Sequence, residues 1–202
     1  MSKRKRQGKL PQQEQTNHKA ASTLRQMKLR RAAATVSFAA VIFASCLLPA
    51  LHLECTAAVA SGCLLGAMQG AGAAGLCAIA YLVKTPSPTP PQVATLAGTF
   101  LAALVSGLLS FLLQGAPLKH LSPKEGAKSL AACALGFAAF YVCQAVFQED
   151  FAPSSFLAFD ALKCVAAAVA SAALRPHVHA FLFPRDKLED EMTEMTAKLK
   201  KR

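Results

Sequence analysis

The chain has 202 residues and a formal charge of +11, and 53% of its residues are apolar. Charge and apolar content are separated along it: residues 1–31 hold ten Lys or Arg against the single acid Glu14, whereas residues 32–174 hold no Arg. A middle segment so poor in charge has too little polar surface to face water, which excludes a soluble domain of this size and predicts an all-α, polytopic membrane protein.

The first segment, residues 1–31, is a basic tail. The apolar run after it is too long and too late for a secretory signal. Polybasic segments beside a membrane stay on the cytoplasmic side and are drawn to anionic lipid. The same cluster could touch nucleic acid, but topology alone accounts for it, so membrane lipid is the expected partner and nucleic acid is not.

Apolar runs follow at residues 32–50, 55–83, 93–113, 127–147 and 154–174. The second is charge-free and holds Gly62, Gly66, Gly70, Gly72 and Gly75. One helix of that length would reach about 43 Å, against roughly 30 Å of hydrocarbon, so the alternative is two short helices bent near residues 66–72. The Pro-rich stretch 85–91 ends it. Charge parity chooses between five and six spans. Six spans keep Arg175, Arg185 and the terminal Lys198 to Arg202 on the side of the basic amino terminus, with Lys119 and Lys124, while Glu149 and Asp150 fall outside.

The expectation is therefore six transmembrane helices in the cytoplasmic (inner) membrane, with both termini cytoplasmic. It divides the chain into a basic tail (1–31), a six-helix membrane domain (32–175) and a cytoplasmic tail (176–202). In the last segment Leu188, Met192, Met195 and Leu199 form an apolar stripe at helical spacing, as on a surface helix. His177 and His179 are expected at the interface rather than on a metal. The seven cysteines form no Cys-x-x-Cys pair and lie in or beside apolar runs, as small buried side chains do.

Asp160 and Lys163 stand inside the last apolar run. Charges within a membrane helix cost several kcal/mol unless paired or turned to a polar cavity, so they mark a site by default. Their i, i+3 spacing puts them on one face, able to bond each other or one ligand. The bland alternative is an ion pair that locks the last helix to its neighbours. No phosphate-binding Gly-x-x-x-x-Gly-Lys-[Ser/Thr] loop, His-Glu-x-x-His or intramembrane Ser/His arrangement is present, so neither an ATPase nor an enzyme is expected.

Four segments resemble a known family, the BioY biotin-binding S-components of energy-coupling factor (ECF) vitamin transporters. They are residues 38–49, ending in Pro49; Glu54 with Val59-Ala-Ser-Gly-Cys-Leu-Leu-Gly66; residues 91–107, from Pro91-Gln-Val-Ala-Thr95; and Phe156-Leu-Ala-Phe-Asp-Ala-Leu-Lys163. The order and spacing are similar to the family's, with Val93 and Ala94 in place of two glycines and Phe159 in place of a third. The resemblance implies a six-helix S-component bundle that imports a small vitamin, biotin above others, without a cofactor. It implies Asp160, Lys163, Glu54, Gln92 and Thr95 at the substrate, and the hydroxyls of Tyr81 and Tyr141 are further candidates. It also implies a transmembrane coupling subunit and cytoplasmic ATPase subunits as partners, met through an Ala-x-x-x-Ala surface that fits Ala40 and Ala44. Two other readings are an S-component for another small vitamin and a non-transporting membrane scaffold.

Overall fold

The computed structural model describes residues 12–47, 53–114, 123–147 and 157–183, and over these the chain is helical with short connections. Six helices follow in order: α1 (Gln12–Cys46), α2 (Glu54–Leu65), α3 (Ala67–Lys84), α4 (Pro90–Gln114), α5 (Pro123–Phe147) and α6 (Leu157–Leu182). Four stretches are long and apolar enough to cross a membrane: Leu24–Cys46, Ala67–Lys84, Pro90–Leu113 and Lys124–Phe147. The 12 residues of α2 reach only about 18 Å. α6 is long enough but carries Asp160, Lys163 and Arg175. The surface agrees with lipid as solvent, since Ile79, Val83, Phe111, Leu112, Val142, Val146, Leu162 and Val169 are all exposed. Over its described residues the chain is an all-helical membrane protein.

α1 contains neither Gly nor Pro across its 35 residues, so nothing interrupts it between the basic segment and the apolar one. It passes residue 31 without a break, and α6 passes Arg175 and Pro176 and continues to Leu182. The stripe Leu188 to Leu199 lies outside the described residues, as do Lys119, Glu149, Asp150 and Pro49.

The charge-free run at 55–83 divides at one residue. Gly66 has φ 88 and ψ 168, a backbone region that only glycine occupies without strain, and α2 ends and α3 begins around it. The two helices fold back on each other, and a Cβ added at Gly70 would lie 2.6 Å from the Cα of Gly62. On its other side Gly62 meets α4, where any Cβ would collide with Ala103 O and Ser106 Oγ. This close approach places α2 at the centre of the bundle, touching each of the other five helices.

The core is built from small and thiol side chains. Val59, Cys63, Ala102, Cys133, Phe137 and Ala168 belong to one cluster, and Ile42, Ala58, Ala74 and Cys77 to the other. Buried hydroxyls join the helices: Ser106 Oγ donates to Val59 O at 3.2 Å, Ser110 Oγ to Cys63 O at 3.3 Å and Ser129 Oγ to Ala168 O at 3.1 Å. All seven cysteines are free thiols, and only Cys46 is less than fully buried.

Candidate ligand-binding site

At one end of the bundle the end of α1, the start of α2, the end of α3 and the start of α4 surround a cavity of about 260 Å³. It is lined by Cys46, Glu54, Tyr81, Pro91, Gln92, Thr95 and Leu96. Ligand pockets usually span about 300–1,000 Å³, so this cavity lies just below that range and has room only for a small molecule. Four of the sequence candidates, Glu54, Tyr81, Gln92 and Thr95, therefore come together from three separate helices.

Local chemistry explains how each is held. Glu54 opens α2, where the partial positive charge of the helix amino terminus favours a carboxylate, and it is only 7% exposed. Thr89-Pro90-Pro91-Gln92 starts α4 in the manner of a capping box: Pro90 takes the first helical position and Gln92 Oε1 accepts the Thr89 N–H at 2.9 Å. That bond occupies the amide oxygen of Gln92 and leaves its NH₂ as the donor end. Thr95 Oγ1 donates to Pro91 O at 2.9 Å and accepts from Gln144 Nε2 at 3.1 Å. A hydroxyl oxygen has two acceptor sites, so Thr95 can accept one more N–H.

Behind the cavity a polar cluster joins α5 to α6. Lys163 Nζ donates to Asp160 Oδ1 at 2.8 Å, with side chains 14% and 15% exposed. Tyr141 Oη donates to the other carboxylate oxygen, Asp160 Oδ2. Tyr141 and Gln144 are one turn apart on α5, so the cluster connects by helix α5 to Thr95 and the cavity wall. Asp160 and Lys163 are not among the lining residues themselves. The structure brings them to the same end of the bundle, one layer behind.

Gln144 was not legible as a site residue, although it is 5% exposed and bonded to Thr95. It is the sole amide in the run 127–147, which is the signal that could have singled it out. Ala40 and Ala44 lie on α1, away from the cavity, and both are exposed one turn apart.

The arrangement can hold a small ligand but offers no activated nucleophile. One wall gives a carboxylate acceptor, an amide donor and two hydroxyls; Leu96, Pro91 and Cys46 give apolar surface. No family model, no curated protein and no solved structure matches the chain.

Proposed function

We propose that the chain is the substrate-capturing membrane subunit of an ECF-type vitamin importer, with biotin as its ligand. The observation that carries this reading is the convergence of Glu54, Tyr81, Gln92 and Thr95 on one cavity of small-molecule size. Glu54, Gln92 and Thr95 are positions that the resemblance implies, and Tyr81 adds a hydroxyl from a third helix. In this reading all six helices lie in the cytoplasmic membrane with both termini inside. α2 descends from the outer side and α3 returns to it after the turn at Gly66, which keeps the count at six and both termini on one side.

A biotin-like molecule presents two ring N–H groups, a carbonyl, an apolar ring and tail, and a carboxylate. Glu54 and the remaining acceptor site of Thr95 take ring N–H groups, while the Gln92 NH₂ and the Tyr81 hydroxyl donate to the carbonyl or carboxylate. Leu96 and Pro91 cover the apolar part. Asp160 and Lys163 act from behind: they fix Tyr141, which with Gln144 sets the face of α5 that holds Thr95. The subunit binds and releases its ligand without chemical change. Energy comes from ATPase subunits through a coupling subunit that packs on the smooth surface at Ala40 and Ala44.

Equilibrium binding of labelled biotin to the purified protein tests this, with Glu54→Gln and Thr95→Val as variants. Nanomolar to low-micromolar binding is expected. Glu54→Gln should weaken it about tenfold or more, since one lost hydrogen bond to a charged group is worth about 1.5–3 kcal/mol. Thr95→Val should weaken it several-fold, because its bond is neutral and worth about 1 kcal/mol. No binding of biotin to folded protein sinks the assignment.

One observation favours a second reading, a scaffold without a transported ligand. Both oxygens of Asp160 are bonded inside the protein, to Lys163 and Tyr141, as a purely structural brace would be. Exchanging Asp160 and Lys163 separates the two: a scaffold keeps its fold and has no vitamin to lose, whereas an S-component loses affinity.

A further inference from the structure

The opposite end of the bundle holds a second cavity, about 470 Å³, that the proposed vitamin site does not use. It opens where α2 breaks at Gly66. Gly107 and Ser110 of α4 and Arg175 and His179 of α6 face the break, and Leu64, Phe111 and Leu182 form an apolar wall. Gly107 packs directly on the backbone nitrogen of Ala67, the first residue of α3. α3 begins without a side-chain cap, so the N–H groups of its first turn are not met by a side-chain acceptor there.

The described charges around this end are mostly positive. Arg31 of α1 stacks on Phe183 at 4.4 Å, and Phe183 lines the cavity. Its neighbour Arg30 donates to Phe181 O at 3.2 Å and covers the Phe181 ring. Arg175 stands inside the cavity itself. The carboxylate near Arg175 is Glu125, which is bonded to Lys128 at 3.1 Å. Among the described residues here, Arg30, Arg31, Lys128 and Arg175 outnumber one acid, and exposed Arg25 and Lys28 extend the basic face along α1.

We infer that this cavity binds the phosphate of an anionic glycerophospholipid, with Arg175 as the charge partner and an acyl chain along Leu64 and Phe111. Two independent features point to a lipid instead of a soluble anion. Most of the lining is apolar, which a free phosphate cannot use, and Phe111 continues outward into the exposed apolar surface of α4. Basic pockets between membrane helices select anionic headgroups through charge and the acyl region through burial.

Native mass spectrometry of the full-length, delipidated protein tests this, with short-chain phosphatidylglycerol, the matching phosphatidylcholine and inorganic phosphate as probes. Phosphatidylglycerol is expected to bind about tenfold or more tightly than phosphatidylcholine, the ratio that one charge-assisted hydrogen bond supplies. Arg175→Gln removes that preference, and Lys84→Gln, at the other end of the bundle, leaves it unchanged. Leu64→Trp keeps every charge and fills the apolar wall, so it lowers lipid binding even if Arg175→Gln fails to fold. Equal binding of the two lipids overturns the inference, as does a preference that survives in folded Arg175→Gln or undiminished binding in Leu64→Trp. Inorganic phosphate binding as tightly as phosphatidylglycerol reassigns the cavity to a soluble anion and overturns the lipid assignment.

Discussion

Removing one member of the Asp160–Lys163 pair exposes how far the cluster is shielded from water. Asp160 accepts from Lys163 and Tyr141, so Asp160→Leu leaves an ammonium and a hydroxyl without that acceptor. A pair in full solvent is worth about 0–1 kcal/mol, and breaking a fully buried one costs about 3–5 kcal/mol. Side chains 14% and 15% exposed lie nearer the buried limit, which places Asp160→Leu at about 2–3 kcal/mol of destabilisation. Lys163→Met should cost less, because the carboxylate keeps its bond from Tyr141. The double variant replaces both charges by apolar groups of similar size and should recover most of the loss, giving a coupling of about 1–3 kcal/mol. Reversible unfolding in mixed detergent micelles, followed by helical ellipticity, measures all three. Single variants within about 0.5 kcal/mol of the parent would refute the reasoning, because they would put the pair in solvent.

Gly66→Ala tests the helix break by backbone alone. No atom lies within 4 Å of the added methyl, so the expected loss of about 1–3 kcal/mol comes wholly from the strained φ and ψ; an unchanged unfolding midpoint would show that the break lies elsewhere. Gly62→Val should be more damaging, at about 3 kcal/mol or above, because its side chain meets Ala103 O and Ser106 Oγ across the α2–α4 contact. Folded yield after detergent extraction reads this out, and a yield equal to the parent's contradicts the packing.

The order of helices was legible because apolar runs and charge-bearing connections alternate along this chain. The 55–83 segment shows where that reading stops. Its five glycines permit a break at many points, and only the backbone at Gly66 takes the glycine-only conformation, while Gly62 and Gly70 are needed for close helix contact instead. Charge also concealed structure. Residues 12–31 read as a tail because they are basic, yet they lack Gly and Pro and join α1. Similarly, Arg175-Pro176 reads as the end of a span, but α6 continues to Leu182.

The site was legible only in part. Asp160 and Lys163 announce themselves by their cost in an apolar run, and their spacing gives the observed bond. Tyr141 completes that cluster from another helix, which no local pattern reveals. Gln92 carries a signal with two meanings, since Thr89-Pro-Pro-Gln92 is a helix start as well as a cavity wall. Gln144 acquires its role only through Thr95, 49 residues away.

Cys46 allows the ligand's position to be measured directly. It lines the cavity beside Glu54 and is the one cysteine that is not fully buried. In a variant keeping Cys46 and replacing the other six cysteines by Ala, its rate of modification by a small maleimide can be followed with and without biotin. Biotin is expected to slow the reaction several-fold at concentrations that match its binding curve, while a fatty acid of similar length has no effect. An unchanged rate at saturating biotin, or no binding of biotin to the folded protein, would contradict a vitamin site between Glu54, Tyr81, Gln92 and Thr95.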